Sequence, residues 1–436
     1  MSATSAENSS AREQALPPPR SRLRAWLATP AAMVLIALVL RVGYIAVGHT
    51  YRFSPRGDNF GFGWETGRIA RSLAEGHGFS SPFVRDTGPT AWVAPAYPFV
   101  VAGVFKLFGV YTQMSGFVLL VLNSIFSALT CWTMFRICEE TVGERMARWA
   151  GWTWALLPYS MYWAARWVWE TSFSAFALSL ALLLTLRLER EPRMRTWIWF
   201  GATWGVIALA NPSCLTLLPC CGLWLAWRLN SAGRPWFTGA VVAALIFFAL
   251  LTPWVVRNER VFHRFIPVRD NFWMEFRLGN SVNANGLWMS WFHPSTDLNE
   301  FDLYARVGEL RYLEMQKQKA LDFVRAHPGR FAELCVRRAI WFWAGTPRST
   351  DVPLGLEMRN ALFALTTVLA FWGLWLMRRQ RGAWLLAMFL LVYPAIYYLT
   401  FPHPRYRHPI EPEMTIAGLC VLAAALPERK RISERP

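Results

Sequence analysis

Two short stretches hold the residues whose types and spacing could do chemistry. The first is GDNFGFGWETGRIARSLAEGHGFSSPFVRDTGPTAWVAPAYP, residues 57–98, with Asp58 and Glu65 near its start. An ionised carboxylate can take the proton of a hydroxyl that is becoming a nucleophile. Residues 64–75 have helical spacing, with Trp64, Ile69 and Leu73 on one face and glycines at 76 and 78 to end the helix. Arg68 stands three residues after Glu65 and can share its face. Read alone, this is also a helix cap with a surface ion pair.

The second stretch is TFPHPRYRHPIEP, residues 400–412, in which Arg405 and Arg407 flank Tyr406, with His403 and His408 beside them. The planar fork of arginine donates two parallel hydrogen bonds to a phosphate. The competing explanation is interfacial arginines meeting lipid headgroups. Other candidates are Arg85 with Asp86, which also read as a turn, and Arg166 with Glu170, which lie among Trp167 and Trp169 and also read as an aromatic belt. Arg41, inside an apolar run, is expected to snorkel outward or to pair with a buried acid. There is no CxxC, no His–Cys zinc spacing and no Asp-x-Asp, so no metal or other cofactor is indicated, although a divalent metal remains compatible with the chain.

The elements that must position these residues follow from composition. Of 436 residues, 54% are apolar and 17% charged, with 25 Trp and 30 Phe. That excludes disorder, a collagen-like fibre and a small disulfide scaffold, and argues against an ordinary soluble enzyme. Apolar runs fall near 28–48, 115–135, 148–164, 170–186, 196–211, 213–229, 236–256, 358–377, 383–400 and 411–427. A helix needs roughly 20 such residues to cross about 30 Å of hydrocarbon. The fold class is therefore an all-α polytopic membrane protein of about ten transmembrane helices, with juxtamembrane helices and one larger outer loop region.

Arginine clusters at 12–24, 136–148, 187–195, 228–234, 378–381 and 429–435 fall between alternate pairs of spans, which places them and both tails inside. The net charge of +17 is then a topology signal facing anionic lipid and calls for no nucleic acid. Residues 94–112 are read as a juxtamembrane or re-entrant helix, because a crossing there would turn every later arginine cluster outward. The chain divides into a cytoplasmic basic tail (1–25), an N-terminal transmembrane catalytic core (26–256) carrying an outer loop (49–114), an outer loop region (257–357), C-terminal transmembrane helices (358–427) and a cytoplasmic tail (428–436). The first apolar run is expected to be a retained anchor and not a cleaved signal. Six of the seven cysteines lie in or near spans, so no outer disulfide is expected.

An acid just after the first span, then IARSLAEGHGF (Ile69–Phe79), then PTAWVAPAYPFVVAGVFKLFG (Pro89–Gly109), resembles the GT-C superfamily of integral-membrane glycosyltransferases. The motifs are most similar to the branch of protein O-mannosyltransferases and lipid A aminoarabinose transferases, and they cover about 60 residues. The Trp-Trp-Asp signature of oligosaccharyltransferases is absent, which argues against that branch. The resemblance implies a sugar donor carried on polyprenyl phosphate, an acceptor that is a lipid, glycan or protein, and membrane lipids as surroundings. It implies chemistry on the outer face of a membrane, expected to be a bacterial inner membrane. On that basis Glu65 is the expected base, with Asp58 as the alternative. Arg405 and Arg407 are expected to hold the donor phosphate with help from Arg85. Arg68, His403, Tyr406, Arg166 and Glu170 are candidate substrate contacts. The competing class is a multi-pass lipid or solute transporter or flippase, which would need a central polar path instead of an outer cavity.

Overall fold

A computed structural model describes residues 22–347 and 355–426. The greater part of the N-terminal tail, the C-terminal tail and the side chain of Asp58 lie outside the described residues. The described chain is helices and their connections, with a single antiparallel bridge between Ser80 and Pro89. Five helices are long and apolar enough to cross a membrane: Pro30–Val47, Gln113–Thr141, Thr171–Arg190, Phe237–Phe262 and Glu357–Leu376. The protein is thus an integral, multi-pass membrane protein.

The other expected spans are short or broken. Met194–Ala210 is one helix of 17 residues. The run at 148–164 becomes Glu144–Leu156 and Pro158–Arg166, and that at 383–400 becomes Ala383–Val392 and Ala395–Leu399. Pro158 and Pro394 stand at these breaks, where a proline lacks the N–H that would continue the ladder. Residues 94–112 give the helix Ala96–Phe108, 13 residues long. At 1.5 Å per residue this is about 20 Å, short of the hydrocarbon core. It packs through Val101 and Phe105 onto Leu119 and Leu120 of the long helix behind it.

Arg41 does neither thing expected of it. It is fully buried in Pro30–Val47, and its guanidinium donates to the carbonyls of Ala37, Trp154 and Ala155 and to Ser127 Oγ and Ser160 Oγ, all at 2.9–3.1 Å. Trp154 is the residue whose carbonyl Pro158 leaves without a helical donor. The arginine therefore supplies the hydrogen bonds that the break removes.

The outer segments share one small core of their own. Phe83 and Trp92 of the first outer loop meet Met274, Leu278, Phe301, Tyr304 and Tyr312 of the second, with Phe401 beside them. Arg338 ties this core to the membrane helices by donating to the carbonyls of Tyr398, Leu399 and Gly279 and to Asn280 Oδ1. The chain at Gly279 runs so close to Thr400 that a Cβ there would collide with its carbonyl oxygen.

Arg41→Met keeps much of the stem and removes the donors. Leaving buried acceptors unmade costs about 1–3 kcal/mol each. The variant is expected to unfold several degrees below the parent in detergent. An unchanged midpoint would mean that the break at Pro158 does not depend on the arginine.

Candidate functional site

A cavity of about 330 Å³ opens where the outer loops meet the outer helix ends. Glu65 and Thr66 enter it from the first turn of Glu65–Ala74, and Trp92 and Tyr97 from the loop and helix that follow. Trp169 and Glu170 come from the turn before Thr171–Arg190, and Asn211 and Ser213 from the end of Met194–Ala210. Arg269, Asn271 and Glu275 come from the second outer segment, and Thr400, Arg405 and Tyr406 from the loop near the C-terminus.

Glu65 is reached through a strained turn. Asn59, Gly63 and Trp64 have φ of 55°, 92° and 44°. A bulky residue in the left-handed region is costly and persists where packing enforces it, commonly at functional sites. Trp64 is held edge-on against Phe60 at 4.7 Å and near Trp288 at 5.7 Å. A Cβ on Gly63 would stand 2.7 Å from the carbonyl oxygen of Val168, so this position needs glycine for both its angle and its clearance.

The Glu65 carboxylate accepts a hydrogen bond from Ser295 Oγ at 2.5 Å, and His293 Nε2 stands 3.9 Å away. His293 Nδ1 accepts from the Ser295 backbone N–H at 3.1 Å. The neutral ring therefore carries its hydrogen on Nε2, facing the carboxylate. Burial among Phe83, Trp92 and Trp288 pushes the His293 pKa down, while Glu65 acts in the opposite direction. Arg68, expected on the same face, instead reaches the Pro82 carbonyl at 3.4 Å.

On the opposite wall Arg405 lies between aromatic rings, 4.3 Å from the Trp169 centroid and 5.0 Å from that of Tyr406. Tyr406 is itself stacked on Tyr397 at 4.6 Å. The fork donates to Tyr406 Oη at 3.3 Å and forms no ion pair among the described residues. Arg269 donates one bond, to Ser213 Oγ at 3.1 Å. Two guanidinium groups with donors to spare thus line one cavity with the Glu65 carboxylate. Glu275 lines it as well, accepting from Asn271 at 3.0 Å. Burial pushes its pKa up to about 7, against the opposing pull of Arg269.

Several expected residues do not meet here. Arg407 is buried with Glu411 at 3.0 Å and donates to the carbonyls of Trp343 and Phe363 and to Thr366 and Thr367, so its donors are spent on holding helices together. It is not placed to hold a phosphate in the cavity. Arg85 is exposed, paired with Asp302 at 2.7 Å and lying over Phe301, away from the cavity. His403 caps the short helix Pro404–Arg407 by accepting the Arg405 N–H at 3.2 Å, and burial pushes its pKa down to about 3. It therefore positions Arg405 as a neutral cap and supplies no cation. Arg166 is exposed over Tyr162, outside the cavity lining.

His293 and Ser295 were not singled out by the sequence, because they approach Glu65 from about 230 residues away. The turn WFHPST after an aromatic run was the one available signal. Arg269 and Glu275 were visible as polar residues of the second outer segment, without a rank. Among the described residues no three of His, Cys, Asp and Glu converge as metal ligands would, so no step below is routed through a metal.

No protein-family model and no curated protein matches this sequence. Among solved structures, the chain is similar to the oligosaccharyltransferase AglB of Archaeoglobus fulgidus in complex with an inhibitory peptide and a dolichol-phosphate. That match has a TM-score of 0.53 and 15% identity, over 91% of this chain and 50% of that one. The apo form of the oligosaccharyltransferase of the same organism aligns with a TM-score of 0.50 and 13% identity, over 93% and 52%. ArnT of Cupriavidus metallidurans bound to undecaprenyl phosphate aligns over 92% and 78% at 13% identity, with a TM-score of 0.40. The chain spans about half the length of the archaeal enzymes. The likeness shows the fold, which this chain shares with the archaeal oligosaccharyltransferase.

Glu275 gives the cavity a pH dependence whose sign follows from its raised pKa. Below about 7 the group is neutral and leaves Arg269 and Arg405 to an arriving anion; above about 7 it is charged and competes for them. A phosphodiester keeps its own charge constant over this range. Its Kd is expected to weaken as pH rises from 6 to 8, by roughly tenfold, or about 1.4 kcal/mol. In Glu275→Gln the dependence should disappear. An equal slope in the variant would remove Glu275 from the account.

Proposed function

We propose that the protein is a membrane glycosyltransferase that moves a sugar from a polyprenyl-phosphate carrier to an acceptor on the outer face of the membrane. The observation that carries this reading is that Glu65, Arg405 and Arg269 line one cavity. The AglB structure with dolichol-phosphate gives the lipid-phosphate donor a precedent on the same fold. A bacterial inner membrane, with the site on its periplasmic face, suits the inside placement of the arginine clusters.

In this reading the acceptor hydroxyl forms its bond to the anomeric carbon as the bond from that carbon to the phosphate oxygen breaks. The electron pair leaves on the phosphate. Arg405, held by Trp169 and Tyr406, and Arg269 stabilise that charge with oriented donors. The hydroxyl proton passes to the Glu65 carboxylate, which Ser295 and His293 hold in place. Asp58 remains the alternative base. Glu170 and the rings of Trp92, Tyr97 and Phe401 line the same space and would contact the sugar. The transporter reading lacks comparable support, because the fully buried Arg41 has its donors taken by carbonyls and hydroxyls within the bundle.

The test is incubation with a panel of polyprenyl-phosphate sugars, following release of polyprenyl phosphate. Glu65→Gln should retain donor binding and lose transfer by roughly a hundredfold, the scale of a general base. Arg405→Gln should lose at least about tenfold in donor KM or kcat, whereas Arg407→Gln should act through stability. If Asp58→Asn is dead and Glu65→Gln is not, the base is Asp58. Full activity in both moves the site elsewhere.

Topology is checked separately, in a background where Cys220 and Cys335 are replaced. A cysteine at Gln318 should be labelled from outside and one at Arg379 only from inside. Labelling of the Gln318 position from the cytoplasm alone would end the outer-face mechanism.

A further inference from the structure

The helix Phe272–Gly279 presents polar residues on two faces. Glu275 lines the cavity described above. Arg277, two residues on, points to a different side. It lines a separate cleft of about 440 Å³ with Ser281, Asn283, Phe292, Lys319 and Phe323.

The polar groups of this cleft are short of partners. Arg277 makes no hydrogen bond and no ion pair among the described residues, and its Nε is buried without an acceptor. Its one recorded contact is with the ring of Phe292, 5.2 Å from the guanidinium carbon. Glu300, the nearby carboxylate, accepts from Tyr312 at 2.7 Å and Gln316 at 3.2 Å on one oxygen and acts on the Arg277 charge without a hydrogen bond to it. Ser281 is 7% exposed, and its hydroxyl is also buried without a partner. Lys319, on the facing helix Glu309–Ala326, forms no ion pair among the described residues. Asp322, also in the lining, is paired with Arg325 at 3.6 Å.

A buried donor without an acceptor costs about 1–3 kcal/mol, and such groups in a native fold call for an explanation. A partly desolvated fork beside a lysine is suited to an anion. The cleft is larger than a bare anion needs, and Phe292 and Phe323 give it apolar faces of the kind that cover a sugar ring. We propose that the Arg277 cleft binds an acidic sugar residue, its carboxylate or phosphate held by Arg277 and Lys319 and its hydroxyls by Ser281 and Asn283. The segment that carries Phe292 also carries His293 and Ser295 to Glu65, so the two sites are linked through neighbouring residues of one turn. The binding does not depend on the transfer reaction and is tested without it.

The full-length protein in nanodiscs is titrated with a tetrasaccharide bearing two glucuronate residues, with its carboxyl-reduced form as the neutral control. Tighter binding of the acidic form, weakened at least tenfold by Arg277→Gln and unaffected by Arg405→Gln, is the expected result. Lys319→Gln, at an exposed position that leaves the fold intact, should weaken it at least threefold. Equal affinity for the neutral form, or an Arg277→Gln variant that elutes and melts as the parent does and binds as tightly, overturns the proposal. Nanodiscs with and without anionic lipid separate a sugar from a headgroup. Unchanged affinity supports the sugar site, and loss of binding in anionic lipid assigns the cleft to lipid and overturns it. A chain that binds through Arg277 but releases no polyprenyl phosphate keeps this site and loses only the catalytic reading.

Discussion

A chain that crosses lipid cannot leave a backbone carbonyl without a donor, and here that constraint concentrates around Pro158. The proline has no N–H for the carbonyl of Trp154, and the helix stops at Leu156. Arg41 and Ser160 reach Trp154 instead, and Arg41 reaches Ala155 as well. That exchange lets the chain bend within the bundle without an unsatisfied group. The helix Pro158–Arg166 then leaves the bend and ends in the turn that carries Trp169 and Glu170 into the cavity. Trp169 is one of the two rings that hold Arg405. A hydrogen-bond requirement deep in the bundle thus reaches the outer site through one short helix and one aromatic contact.

The same requirement sorts the arginines. Arg338 and Arg407 each give several donors to backbone carbonyls, and Arg257 gives donors to the carbonyls of Thr90 and Phe79 and to Asn258 Oδ1. Groups used in that way tie segments together and have little left for a ligand. Arg405 and Arg269 lie in the same outer region with most of their donors uncommitted. Arg405 is held by ring stacking and one hydroxyl and Arg269 by one hydroxyl, which leaves most of each fork unconsumed. How a guanidinium is restrained, more than where it lies in the chain, separates a structural arginine from one available to a phosphate.

This explains what could be read from the sequence. The helix after the first span, its end at Gly76, and the presence of Glu65 and an arginine of the 400–412 loop in one cavity are local or topological features, and hydropathy and charge clusters report them. Arg405 and Arg407 stand two apart around one tyrosine, and no sequence rule ranks them. Their roles diverge because residue 407 faces Glu411, Phe363 and Thr367, contacts that depend on how two distant helices pack. The partners of Arg41 are hidden for a related reason, since a run of apolar residues does not show which neighbouring helix will need donors. The contribution of Ser295 and His293 is a long-range contact of the outer core and leaves no local periodicity.

The cavity also has an uneven charge count that bears on its chemistry. Glu65, Glu170 and Glu275 share it with Arg269 and Arg405. With all five charged, the lining is net negative, and a phosphate would enter against that field. Burial pushes the Glu275 pKa up to about 7, so near neutrality this group spends much of its time protonated and the lining comes close to balance. A phosphodiester can then take up the two guanidinium groups without displacing a carboxylate from them. Glu65 is bound by Ser295 on the far wall and does not compete for those donors. Holding one carboxylate away from the cations, and keeping another close to neutral, is what the proposed reaction needs for a base and an anion site to share this small space.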